Sequence, residues 1–342
     1  MTTIRIGVIC PSEIAFRRFM PALKKHEGFE FVGIAYANDE EWFGKKSECN
    51  DHTVIENEHK KASIFADTYG GRVFDSYMKL LSSDEIDAVY IPLPPALHHK
   101  WAKKALEYGK HVLLEKPFTT SLKQTDELIA LARKKKLALH ENYMFQYHSQ
   151  LDYIKQAITD KKIGELRSVS IQFGFPFRGA NDFRYNKSLG GGALLDCSGY
   201  TIKLASLLLG DSARVVTSQL NYTDGFDVDI YGSGTIVNSD GLTAQLSFGM
   251  DNSYKCDLEL WGSTGTLYTN RILTAPEGFE PLMTIKKGNG EITKKLSADD
   301  TFAKSIVAFS ACVENSKCRE ENYKAIKRQA VLVDEFVRGT EK

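Results

Sequence analysis

The chain has few residues that would cross-link it and no stretch that would carry it into a membrane. Its six cysteines (Cys10, Cys49, Cys197, Cys256, Cys312, Cys318) contain no C-x-x-C pair, and no histidine stands beside Cys312 and Cys318 in zinc-ligand spacing. A disulfide scaffold and a metal site are thereby excluded, and reduced thiols in a cytoplasmic protein are expected. No apolar run approaches the roughly 20 residues of a membrane span. The opening Met-Thr-Thr-Ile-Arg-Ile-Gly-Val-Ile-Cys reads as a strand and leaves no room for a cleavable leader. A surplus of one charge is missing too: Lys+Arg and Asp+Glu both number 44, for a net charge of zero. That balance argues against a nucleic-acid partner. With 26 glycines and nine prolines in 342 residues, a collagen-like or low-complexity chain is excluded.

What is present describes an ordinary globular protein, 42% hydrophobic and 26% charged. The length predicts two domains, each large enough for its own core. Over residues 1–145, short apolar runs at 4–9, 31–37, 88–92, 111–114 and 137–143 alternate with helical spacing at 12–26, 62–69, 99–108 and 121–135. Strands that are apolar throughout are those buried on both faces. The alternation predicts an α/β, doubly wound parallel sheet of the Rossmann type. Residues 146–342 read differently. Helices at 149–161 and 200–209 accompany alternating runs at 167–175, 215–222, 228–237, 242–248, 256–262 and 266–269, and helices at 302–313 and 322–337 close the chain. This predicts an α+β domain with a largely antiparallel, open-faced sheet, and a last helix returning to the first domain. Residues 39–61, rich in acids and with His52 and His59, read as a solvated insertion or as a flap over a bound dinucleotide.

A dinucleotide site needs G-x-G-x-x-G/A after the first strand. Here those positions are Cys10, Ser12 and Ala15. Ala15 permits close packing and Ser12 can cap the helix, but Cys10 stands where glycine is expected. The turn alone leaves a cofactor site and a plain strand–turn–helix equally open. The second strand ends Ala35-Tyr36-Ala37-Asn38, without the acid that would take the ribose hydroxyl of NAD. With Arg17 and Arg18 nearby, NADP(H) is favoured and NAD(H) is the alternative. Two further strand ends carry stronger signals. Tyr90-Ile-Pro92-Leu93-Pro94 leads stiffly to His98, and Glu115-Lys116-Pro117 sets a lysine beside a carboxylate at the end of a buried strand.

These residues resemble the Gfo/Idh/MocA family of NAD(P)-dependent oxidoreductases. The resemblance spans the whole chain, on Glu115-Lys116-Pro117, Ile91-Pro92-Leu93-Pro94 with His98, Ile163-Gly164-Glu165-Leu166 and Gly190-Gly191-Gly192-Ala193-Leu194-Leu195-Asp196. Within the family the chain is similar to nucleotide-sugar 3-ketoreductases, on Ile14-Ala15-Phe16-Arg17-Arg18, Glu141-Asn142-Tyr143-Met144-Phe145 and Asp182-Phe183-Arg184-Tyr185. Cys10 and the long 39–61 segment depart from the pattern.

The resemblance implies cofactor contacts from Cys10, Ser12, Glu13, Ile14, Ala15, Arg17, Arg18, Tyr36, Pro92, Leu93, Pro94, His98, Glu115 and Lys116. Alcohol-oxidising members carry Asp-x-x-x-His as base, whereas this chain reads Asp196-Cys-Ser-Gly-Tyr200. A tyrosine, protonated at neutral pH, suits donating a proton to a ketone being reduced. The resemblance assigns Tyr185 as that acid, Lys116 to steady the developing charge, and Asp196 to hold a sugar hydroxyl or orient Lys116. Tyr143, Arg178, Arg184 and Tyr200 are implied for the substrate, with Lys187 and the two arginines around a diphosphate or simply at the surface. A homodimer or homotetramer, joined through the open sheet face, is implied as well. The expected activity is reduction of a nucleotide-linked keto-sugar. Its rivals are a dehydrogenase of a free sugar or cyclitol and a non-catalytic, ligand-sensing family member.

Overall fold

A computed structural model describes residues 3–44 and 53–340. Six parallel strands form the first sheet: β1 Ile4–Ile9, β2 Phe29–Ala35, β3 Arg72–Phe74, β4 Ala88–Ile91, β5 His111–Leu114 and β6 Leu139–Glu141. Their order, β3-β2-β1-β4-β5-β6, is that of a doubly wound dinucleotide fold, whose ligands lie beyond the carboxyl ends of the strands. β4 is buried at every residue, which explains its unbroken apolar run. β2 begins two residues before the expected start and stops at Ala35, because Asn38 opens a helix with a capping box. β3 and the helix Tyr77–Leu81 escaped the sequence reading; three strand residues are too few for a period.

The 39–61 segment is not simply solvated. Residues 45–52, with His52 and Cys49, lie outside the described residues. The rest contributes a helix at Asp39–Phe43 and the first part of a long helix, Thr53–Tyr69, which starts well before the expected residue 62. That helix buries Glu58, Ala62 and Phe65, so its polar run disguises an inward face.

The second sheet has eight strands: β7 Leu166–Gly174, β8 Arg214–Tyr222, β9 Asp229–Val237, β10 Thr243–Gly249, β11 Lys255–Gly262, β12 Thr266–Thr269, β13 Leu282–Lys287 and β14 Gly290–Lys295. The order is β14-β13-β12-β11-β7-β10-β9-β8, antiparallel except where β10 runs parallel to β7. The hairpin β13–β14 was not foreseen; β14 is exposed along its length and so shows no alternation. A turn at residues 238–241 joins β9 to β10, with Gly241 at φ 81°.

The chain divides into two compact units: residues 1–119, 123–142 and 305–326, and residues 120–122, 143–304 and 327–342. Each has its own apolar core. One helical stretch, Lys187–Leu209, passes for a membrane span by length and composition, but 78% of its apolar window is buried in the protein. It is a core helix.

Candidate active site

In the first unit, Cys10 stands at φ 78°, the left-handed region that glycine enters without steric cost. The turn thus keeps the backbone shape of the dinucleotide fingerprint while its residue has changed. Ser12 Oγ accepts the N–H of Ala15 at 3.3 Å, and fully buried Ala15 starts a π-helical turn, Ala15–Phe19. Such a capped helix start is the usual seat of a pyrophosphate. Burial, with the charge of Glu58 close by, pushes the Cys10 thiol up to about 12, despite contact with the Tyr77 hydroxyl. The thiol stays protonated and is no nucleophile. Ile14 is half-buried, and Arg17 faces Glu13 at 3.8 Å with both side chains well exposed, a pair of little energetic weight.

At the exit of β2, Tyr36 lies against the His59 ring, centroids 5.2 Å apart. Burial and then the charge of Asp75 raise its hydroxyl above the ordinary range. One acid of this exit, Glu41, is fully used: it accepts from Asn38 N–H (3.1 Å), Ser76 Oγ (2.8 Å), Tyr77 N–H (2.9 Å) and Met78 N–H (2.9 Å). It caps the helix Tyr77–Leu81 and is no acceptor for a ribose.

The exits of β4 and β5 form one braced structure. Pro92, Leu93 and Pro94 lead into the helix Pro95–Glu107, which buries His98 completely. His98 Nδ1 and Nε2 each lie 2.7 Å from a backbone carbonyl, of Pro117 and Leu93. Two carbonyls favour an imidazolium, but burial outweighs them and holds His98 down to about 4, so one nitrogen donates and the ring is neutral. With no exposed surface, His98 cannot touch a cofactor. The expectation of direct contact is corrected: His98 bolts the two loops together.

Beside it, Glu115 Oε1 accepts the Tyr90 hydroxyl and the Asn142 amide, each at 2.6 Å. Burial raises this carboxyl against the pull of those donors and of Lys116. Past the cis Lys116–Pro117 bond, Phe118 N–H donates to Glu141 at 2.9 Å. The backbone carrying Lys116 is therefore pinned on both sides by buried groups.

In the second unit, the three glycines are each required. Gly190 is left-handed (φ 79°); a Cβ on Gly191 would strike the Arg184 carbonyl at 2.3 Å; Gly192, at φ 120°, leaves room for Asp229. Asp229 accepts the N–H of Leu194 at 2.6 Å and so caps the buried helix. Burial raises this carboxyl to about 6. Asp196 is not the cap. Its own N–H bonds the Gly192 carbonyl, inside the π-helical turn Leu194–Ser198.

Arg184 Nε donates to Asp196 at 2.8 Å, and its Nη1 to both oxygens of Asp182 at 3.1 and 3.2 Å. Burial opposes its charge, but the two carboxylates prevail and raise it. The expectation that Arg184 binds a diphosphate is corrected: its fork is engaged by acids, and it orients Asp196. Arg178 and Lys187 are exposed.

Tyr185 is buried, donates to the Met250 carbonyl at 2.6 Å, and packs on Phe177 and Phe226. Burial raises its hydroxyl. Tyr200 sits four residues after Asp196, on the same helix face, with its ring against Tyr143, Phe145 and Phe173. Tyr143 is wholly buried, its ring edge-on to Tyr200, so it supports the site from the core and is corrected as a substrate contact. Among the described residues, no group of three or more His, Cys, Asp or Glu is placed to hold a metal ion. Sequence reasoning passed over Glu41, Glu58, Tyr77 and Asp229. Only Glu41 had left a signal, the Asn38-x-x-Glu41 capping spacing.

Comparison with known proteins places this geometry. Residues 4–143 match the family model "Oxidoreductase family, NAD-binding Rossmann fold", and residues 151–268 match "GFO/IDH/MocA C-terminal domain". A dTDP-3,4-didehydro-2,6-dideoxy-alpha-D-glucose 3-reductase from Actinomadura kijaniata is 38% identical over 97% of this chain and 94% of its own length. One from Streptomyces violaceoruber is 36% identical over 97% and 94%. The crystal structure of KijD10, a 3-ketoreductase from Actinomadura kijaniata in complex with NADP and TDP-benzene, superposes with a TM-score of 0.90 at 37% identity, covering 99% of this chain and 98% of that one. KijD10 has also been solved with a tyrosine changed to phenylalanine and with a lysine changed to alanine, positions 84 residues apart in its chain.

Proposed function

The chain belongs to the Gfo/Idh/MocA family of oxidoreductases, and from that footing we propose that it reduces the keto group of a TDP-linked deoxysugar with NADPH. The observation that carries this reading is the near full-length likeness to a 3-ketoreductase held with NADP and a TDP compound. The left-handed turn at Cys10 and the Ser12-capped helix fit the cofactor's pyrophosphate. Bound NADPH supplies the hydride.

The chain's own residues handle charge and proton. Lys116, on its pinned loop, offsets the negative charge growing on the carbonyl oxygen. A phenol then delivers the proton. Tyr185 is the acid that the family resemblance suggested, but its hydroxyl is committed to Met250. Tyr200 follows Lys116 by 84 residues, the spacing of the two substituted positions in KijD10, whereas Tyr185 follows it by 69. We therefore assign the acid to Tyr200, with Tyr185 shaping the wall around it. Asp196, aimed by Arg184, accepts a sugar hydroxyl, and Arg178 and Lys187 remain for the diphosphate.

Copies of the chain pair through the open face of the second sheet, to a homodimer or homotetramer. Support comes from Trp261 (65% exposed), Tyr268 and Tyr231, which alternate with buried neighbours and so share that face. The five cysteines among the described residues are free thiols, which suits a cytoplasmic location.

The test is NADPH oxidation, followed by absorbance, with dTDP-3,4-didehydro-2,6-dideoxy-glucose and, separately, the reverse reaction on free glucose and inositol. Turnover of the nucleotide sugar alone supports the reading. Turnover of the free polyols alone makes the chain a sugar or cyclitol dehydrogenase, and turnover of neither, with binding intact, makes it a sensor.

A further inference from the structure

The exit of β2 carries no cation of its own, yet it is where the adenosine ribose of a dinucleotide lies. The helix Thr53–Tyr69 brings one there. Phe65 packs on Phe16 and Phe31, with centroids 5.5 and 5.9 Å away, and the Tyr69 hydroxyl donates to the Phe16 carbonyl at 2.6 Å. These contacts lay the helix across the elements that follow β1 and precede β3. Near its start, His59 rests on Tyr36, the residue just past the end of β2. The turn of helix at residues 58–62 is thereby set at the strand exits.

On that turn, Lys61 Nζ donates to Glu58 Oε1 at 2.6 Å; the carboxylate is buried while the lysine side chain remains 58% exposed. The pair lies beside the first turn, close enough for Glu58 and Lys61 both to act on the Cys10 thiol and for Glu13 to act on Lys61. Of the neighbouring cations, Arg17 extends into solvent beside Glu13, and Lys79, which acts on Tyr36, is held by Asp75 at 2.8 Å.

Resting on the NADPH reading above, we propose that Lys61 is the cation for the adenosine 2′-phosphate and that Glu58 is its positioning residue. An ammonium has three donors, so Lys61 can keep Glu58 and still present protons to a phosphate. A buried carboxylate at its base fixes where those protons point. The site arises from the long segment between β2 and β3, in place of a charge on the strand end itself.

The test is fluorescence titration of the full chain with NADPH and with NADH, for wild type, Lys61→Met and Lys61→Arg. Loss of one charge-assisted contact predicts that Lys61→Met weakens NADPH binding roughly ten- to hundredfold. NADH binding is expected to be unchanged, and Lys61→Arg to restore most of the NADPH preference. Equal weakening for NADPH and NADH, or none for either, overturns the assignment while wild-type NADPH binding keeps the reductase reading standing. A folded wild type that binds neither cofactor overturns both.

Discussion

At the exit of β5, Glu115, His98, Tyr90 and Asn142 hold one another through buried bonds, and Lys116 rides on backbone pinned at both sides. At the exit of β2, in the same sheet, the strand supplies only Tyr36, and the charges around it come from neighbouring elements, Asp75 and Lys79 on one side and the Glu58–Lys61 pair of a long helix on another. The first exit is rigid because a charge that meets a reacting oxygen must be placed within fractions of an ångström. The second serves a phosphate remote from the reaction, where a flexible lysine suffices. On the proposed assignments, chemistry and cofactor choice fall to differently built parts of one sheet.

The sharpest way to break that contrast is to remove the groups at the reacting end. Lys116→Ala and Tyr200→Phe are each expected to lower kcat/KM by about 10²–10⁴-fold, with NADPH affinity little changed. Tyr185→Phe is expected to cost less than about tenfold, as befits a wall residue. A larger loss at Tyr185 than at Tyr200, in steady-state kinetics, would reverse their roles.

Next in size is the brace. His98→Ala leaves two loop carbonyls without their shared partner and opens a hole in the core, at a cost of about 2–4 kcal/mol. Chemical denaturation measures this directly. A change within about 0.5 kcal/mol means that the loops stand without the bolt.

Two buried groups, one in each unit, respond oppositely to acid. In the first, His111 accepts the Ala138 N–H at 2.8 Å, and burial, aided by the Arg319 charge, holds it down to about 4. Its contribution is complete above its ordinary value of 6.5 and is lost as pH falls through about 4. In the second, Asp229 has the reverse sign: its value is raised from 3.8 to about 6. Its contribution is complete below 3.8 and is lost as pH rises through about 6, a swing of at most about 3 kcal/mol. Asp229→Asn keeps an acceptor for Leu194 but removes that swing. The melting temperature of the variant is expected to fall further between pH 8 and pH 5 than that of wild type. Parallel pH profiles would show that Asp229 does not titrate in this range.

The smallest effect belongs to the first turn. Cys10→Ala retains the left-handed strain and loses the thiol's packing; Cys10→Gly loses the packing but relieves the strain. Glycine, the smaller residue, is expected to be the more stable of the two by about 1 kcal/mol. If alanine is the better replacement in thermal melts, the turn is not strained at residue 10.

Much of this was legible along the chain. Strands β1, β4 and β5 announced themselves as short, mainly apolar runs, and the Glu115–Lys116–Pro117 triplet stood out at the end of one of them. The signal failed where the meaning of a residue depends on a distant partner. Arg184 reads as a cation for a phosphate until Asp182 and Asp196 are seen on its fork. Tyr185 and Tyr200 are alike as letters, and only the fold brings the Tyr185 hydroxyl to the Met250 carbonyl, 65 residues away.

The sequence by itself determined the two-domain α/β and α+β plan, the family, and which short segments gather at the strand exits. These follow from local periodicity, turn residues and spacing, which act over a few neighbours. Only the tertiary structure decided that His98 is a bolt, that Asp229 rather than Asp196 caps the buried helix, and that Glu58 turns inward to hold Lys61. Burial and pairing across 19, 35 or more residues set those roles, because a charge or hydroxyl withdrawn from water must find its partner wherever the fold places one.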